Sequence, residues 1–182
     1  DKNIINSTIS ADIKLLISGN FPSGAIKNEF GDLIILNVSR VPKEKISRIV
    51  GVLIHELIHL IEKRSRIITE ILNEIDVTIE VKDGYSYKYL VSETILKSII
   101  SPRTNTYMGK FLDFSAEERI SDEDLSYKLS LREYGYGFLT RLAANKLLPE
   151  TTSYIEAGKK LDKNYINKVI SILNDLLQEY EL

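Results

Sequence analysis

Apolar positions along this chain change their spacing several times, and each change predicts an element. From Ser7 to Ser18, Ile9, Ile13, Leu16 and Ile17 follow a helical spacing, with Gly19 as a stop. Ala25 to Phe30 and Leu33 to Val38 flank Gly31-Asp32 and read as two extended segments of a hairpin. Leu33-Ile34-Ile35-Leu36 is apolar on both faces, which predicts a covered strand. Val41-Pro42 then opens a long helix, because proline suits a first helical position. Ile46, Ile49, Val50, Leu53, Leu57, Leu60 and Ile61 recur at three- and four-residue steps and carry that helix to Arg64 or beyond.

Helical spacing continues over Ile67 to Asn73. Ile75, Val77, Ile79 and Val81 then alternate with polar residues like a strand, and Lys82-Asp83-Gly84 signals a turn. Leu90, Val91, Thr94, Ile95, Ser98 and Ile99 predict a helix that stops before Pro102. Arg103 to Glu123 is the least regular stretch and reads as a mobile loop. A helix from Leu125 to Leu148 is expected to end at Pro149, and a last amphipathic helix runs through Ile166, Val169, Ile170, Leu173, Leu176 and Leu177. The sum is an α+β chain, mainly helical, with a small antiparallel β-sheet before the long helix. Its 182 residues suit a single domain. We expect a front sub-lobe, 1–66, with the sheet and long helix, and a mainly helical back sub-lobe, 67–182.

Composition narrows the chemistry. Hydrophobic residues at 43% and charged residues at 27% are ordinary for a globular chain and argue against disorder. A net charge of −2, with lysines and acids interleaved, offers no basic block for nucleic acid or a membrane surface. The longest apolar run, Ile49 to Ile61, is too short to span a bilayer and is broken by two histidines and a glutamate. The absence of cysteine excludes disulfides, thiolate metal sites and a cysteine nucleophile. The first residue is Asp1 rather than Met, so an upstream piece (a signal peptide, an anchor or an initiator segment) is expected to have been removed.

Those two histidines are the only ones in the chain, and both fall in His55-Glu56-Leu57-Ile58-His59. On a helix, residues four apart stand one turn above each other, so both imidazoles project from one face and can grip one ion. Chance placement of this pattern would occur roughly once in a thousand such chains. Zinc takes imidazole nitrogen readily, and a catalytic site uses three protein ligands with water in the fourth place. Glu56, about 100° round the helix from His55, is set to take a proton from that water as general base. The core stripe through Leu53, Leu57 and Leu60 lies opposite, while Arg48, Val52, Glu62 and Arg66 share the histidine side, a face suited to a cleft wall.

No histidine remains for a third ligand, so a carboxylate is required. Glu93, beside the apolar stripe of its helix, is favoured. If the long helix continued unbroken past Ser65, Glu70 would stand about 16 Å along the axis from His59, too far to share an ion. Only a break near Ser65 would bring Glu70 or Glu74 back. Glu133 is the next alternative. The segment Glu133-Tyr134-Gly135-Tyr136-Gly137-Phe138 is also unusual. Its glycines permit close backbone approach, and Tyr134 or Tyr136 is a candidate donor to an oxyanion. The plainer account is glycine-mediated helix packing with tyrosines filling core edges.

His55-Glu56-Leu57-Ile58-His59 resembles the active-site helix of the zincin metallopeptidases, and the lack of a further histidine resembles the gluzincins, in which a downstream glutamate completes the site. Ser92-Glu93-Thr94-Ile95 followed by Tyr134-Gly135-Tyr136-Gly137-Phe138 is similar in order to the later elements of small gluzincins. The resemblance implies a zincin-like fold, a Zn2+ cofactor and hydrolysis of a peptide or protein substrate. It also implies that the strand Leu33 to Asn37 forms the cleft edge and pairs with extended substrate. The alternative is a non-catalytic zinc-binding domain with a structural or regulatory role.

Overall fold

A computed structural model of the chain describes residues 13–18, 24–28, 31–37, 46–64, 70, 71, 73, 86–101, 105–112, 119–131 and 135–182. Internal packing divides it into two units, Asp1–Arg64 and Ser65–Leu182.

In the first unit, strands β1 (Ile13–Ser18), β2 (Gly24–Asn28) and β3 (Gly31–Asn37) form a sheet of order β1-β3-β2. β2 and β3 pair antiparallel, whereas β1 runs parallel to β3, so the sheet is mixed and not antiparallel throughout. The helix expected from Ser7 to Ser18 is instead a strand from Ile13 onward. Ile13, Leu15 and Ile17 also satisfy a period of two, and β-branched isoleucine favours the pleat. A six-residue register, Ile13 against Asp32 through Ser18 against Asn37, then satisfies the backbone. Gly31 and Asp32 belong to β3 rather than to a turn, since Asn28 pairs with Gly31 and Lys27 with Asp32.

Helix α1 (Ile46–Arg64) packs on β2 and β3. Its apolar stripe closes over Ile34, which is fully buried against Ile49, Val52, Leu53 and Leu57. Val52, about 20° round the helix from His59, also packs against this small core. Burial of one such isoleucine contributes about 1.5–3 kcal/mol, and here it fixes which face α1 turns away from the sheet.

The second unit is helical. Helix α2 (Tyr87–Ile99) starts where the Ser86 side chain accepts from the Tyr89 N–H. Helix α3 (Asp122–Ser130) starts where Ser121 accepts from Asp124 N–H, with three acids in its first turn. Helix α4 (Gly135–Glu156) follows, and α5 (Lys163–Glu179) is capped by Asp162, which accepts from Tyr165 N–H. The single helix expected over 125–148 is thus divided between α3 and α4. Pro149 does not end α4, which continues to Glu156. Leu147 and Thr151, on either side of the proline, are both buried, and that packing outweighs the lost N–H. In the stretch expected to be a mobile loop, Met108–Lys110 forms a 3-10 turn, Thr106 is buried, and Tyr107 N–H donates to Ser98 O at 3.0 Å. Glu70, Ile71 and Asn73 are helical, as the spacing predicts; the strand and turn expected over 75–84 lie outside the described residues.

Helices α2, α4 and α5 share one core, with Leu90, Val91, Leu139, Leu147, Ile166 and Leu173 among its fully buried side chains. Three buried hydroxyls cross that core. Ser98 Oγ donates to Ile95 O at 2.7 Å, Thr151 Oγ1 donates to Ser98 Oγ at 2.9 Å, and Tyr165 Oη lies 2.8 Å from Thr151 Oγ1. Among the described residues no helix is long and apolar enough to cross a membrane.

Candidate metal centre

His55 and His59 sit one turn apart on α1, their ring centroids 4.8 Å apart and their planes at 82°. Both are half-buried. With the sheet-facing stripe centred on Leu53, the helical repeat of about 100° per residue sets His59 and His55 round the other side. Glu56 falls about 60° from His59, towards the apolar face, and is only 8% exposed. Packing on Ile34 thus fixes the rotation of the helix and, with it, the direction of both imidazoles and the shelter of the glutamate.

Glu93 sits on α2 and is 6% exposed. Its Oε2 lies 2.8 Å from Lys97 Nζ, one turn along the same helix. Lys97 Nζ also donates to Thr140 Oγ1 at 2.7 Å, and Thr140 Oγ1 donates to Tyr136 O at 2.9 Å. Thr140 is 1% exposed. Burial pushes the Lys97 ammonium below the usual lysine range, the charge and hydrogen bond of Glu93 pull it back up, and Arg141 presses it down again. The carboxylate is therefore held by a cation that is itself anchored to the first turn of α4.

One ligand atom from each of His55, His59 and Glu93 lies within 4.8 Å of the others. Among the described residues, these three form the one group of histidine and acidic side chains close enough to share an ion. Two imidazole nitrogens and one carboxylate oxygen are a donor set suited to zinc.

Of the other residues singled out by sequence, Glu70 is exposed, and Glu74, Glu133 and Tyr134 lie outside the described residues. Tyr136 is half-buried and packs against the helical core, in keeping with the plainer account of that segment. Gly137 is exposed, and a Cβ there would meet only the Arg141 side chain, at 3.6 Å, so it makes no close backbone approach. Sequence reasoning missed Lys97 and Thr140. The spacing Glu93-x-x-x-Lys97 was a signal for the first, since residues four apart pair on a helix. Nothing local marks Thr140. Comparison with protein-family models, curated proteins and solved structures finds no match to this chain.

Proposed function

We propose that this chain is a zinc-dependent peptidase of zincin-like, gluzincin-like design, with His55, His59 and Glu93 as the metal ligands and Glu56 as the general base. The observation that carries the reading is the convergence of three donor atoms within 4.8 Å. The literal pattern His55-Glu56-Leu57-Ile58-His59 supports it further. Bound zinc would act as a Lewis acid, polarising a carbonyl and easing the ionisation of water. The chain's own residues do the rest. His55 and His59 offer ring nitrogens from consecutive turns, so the helix itself sets their spacing. Glu93 contributes one negative charge from a carboxylate tied down by Lys97. Glu56, sheltered beside the ligands, takes the proton of the attacking water at a carboxylate oxygen and later returns it to the leaving amine. Tyr136 and Tyr134 are the candidate donors to the oxyanion that develops on the carbonyl. The substrate is a peptide or protein chain.

The test is metal analysis and peptide hydrolysis on the purified protein. Wild type should carry stoichiometric zinc and cleave unfolded casein or a diverse peptide pool, read by mass spectrometry. Glu56→Gln should keep the zinc and lose the cleavage, and His55→Ala should lose both. Wild type without zinc after metal loading would overturn the proposal. Stoichiometric zinc with no cleavage of either substrate would leave a non-catalytic zinc-binding domain as the correct reading.

A further inference from the structure

Lys97 is the least expected participant in this region. A lysine almost never goes into a helical core unless something takes its charge. Here its ammonium lies within hydrogen-bond range of Glu93 Oε2 at 2.8 Å and Thr140 Oγ1 at 2.7 Å. Its side chain is 13% exposed and that of Glu93 8%. Thr140 does not turn freely, because its hydroxyl proton is committed to Tyr136 O at 2.9 Å, which leaves its oxygen to accept from the lysine. The three side chains therefore form one directed series: backbone carbonyl of α4, threonine hydroxyl, ammonium, carboxylate.

A glutamate on a helix has three rotatable bonds, and an untethered one loses much of that freedom when it takes a metal. The series removes the freedom beforehand, and it engages one named oxygen, Oε2. We infer that Lys97 is a positioning residue. It holds the Glu93 carboxylate through Oε2, backed by Thr140, in the position from which Glu93 would ligate the ion. This rests on the metal-site reading above, but the series itself lies wholly within the helical unit. Supporting groups of this kind are worth roughly 10–100-fold in metal affinity.

The experiment compares wild type, Lys97→Met and Thr140→Val. Lys97→Met keeps the apolar stem and removes charge and donors, while Thr140→Val removes the hydroxyl and keeps the lysine. Zinc affinity is measured by competition with a chromogenic chelator, and the visible spectrum of the cobalt-substituted protein reports the coordination sphere. Circular dichroism confirms that each variant is folded. The expected result is a zinc affinity roughly 10–100-fold weaker in Lys97→Met, with a changed cobalt spectrum, and a smaller loss in Thr140→Val. If Lys97→Met leads only to unfolding, Thr140→Val decides alone through the same two readouts. A folded variant with wild-type zinc affinity and an unchanged cobalt spectrum overturns the role of Lys97. Wild type that binds neither metal overturns the underlying site instead, and the two failures are told apart by that control.

Discussion

The histidine pair and the glutamate of the proposed metal site are held in place by opposite routes. His55 and His59 are half-buried on a helix whose other face covers one buried isoleucine, and their mutual geometry comes from the helical repeat alone. Glu93 is buried and depends on Lys97 one turn away and Thr140 on another helix. Side chains set by local spacing need little support from the fold. A carboxylate set by a buried polar series draws on the packing of the helical unit, so its loss should be felt in stability as well as in the proposed metal binding.

The sharpest way to break this contrast is to compare chemistry with stability. Glu56→Gln is expected to slow hydrolysis by about 10²–10⁴-fold, the usual contribution of a general base, with zinc content unchanged; a rate within a few-fold of wild type removes Glu56 from its assigned role. Next in size, Glu93→Ala should destabilise the metal-free protein by about 3–5 kcal/mol, because it strands a buried ammonium. The double variant Glu93→Ala/Lys97→Met should recover much of that loss in urea unfolding. If the double variant is no better than the single, the cation is not what the carboxylate neutralises. Ile34→Ala should cost about 2–5 kcal/mol in the sheet unit by leaving a cavity under α1. The companion measurement, His55→Ala in the metal-free protein, should fall within about 0.5 kcal/mol of wild type; a large loss there would erase the difference between the two kinds of ligand.

The smallest effect concerns acid. Asp162 titrates below its ordinary 3.8, chiefly because its carboxylate accepts from the Tyr165 N–H at the start of α5. A carboxylate depressed in the folded state lends stability that is complete above the unfolded value and fades as pH falls through the folded one. Asp162→Asn keeps a side-chain oxygen for the cap and removes the charge. Its unfolding stability should therefore fall less steeply than that of wild type as pH drops below 3.8. Parallel profiles for the two proteins would remove this contribution.

What the chain reveals without coordinates follows the same division. The histidines are legible because their relation is contained in five consecutive residues. The helices from Tyr87 and Lys163 are legible for a similar reason: each carries its apolar stripe at helical spacing within one short segment. β1 was not, since Ile13, Leu16 and Ile17 fit a helix as well as a strand, and only pairing with β3 decides between them. Pro149 misled because a local rule about a missing N–H was outweighed by burial on both sides. Glu93 could be favoured from its helix, but the Lys97–Thr140 bond spans 43 positions and leaves no local trace.

The hydroxyls of Ser98, Thr151 and Tyr165 carry a consequence for how the helical unit can move. Each owns a single proton. That of Ser98 goes to Ile95 O, that of Thr151 has both Ser98 Oγ and Leu147 O within reach, and either Thr151 or Tyr165 can donate across their 2.8 Å contact. The three hydroxyls thus tie α5, α4 and α2 together, with Thr151 as the joint between its two neighbours. Sliding α4 by one turn would break both links, whereas sliding α2 or α5 would break one, so α4 is the member whose shift costs the series most.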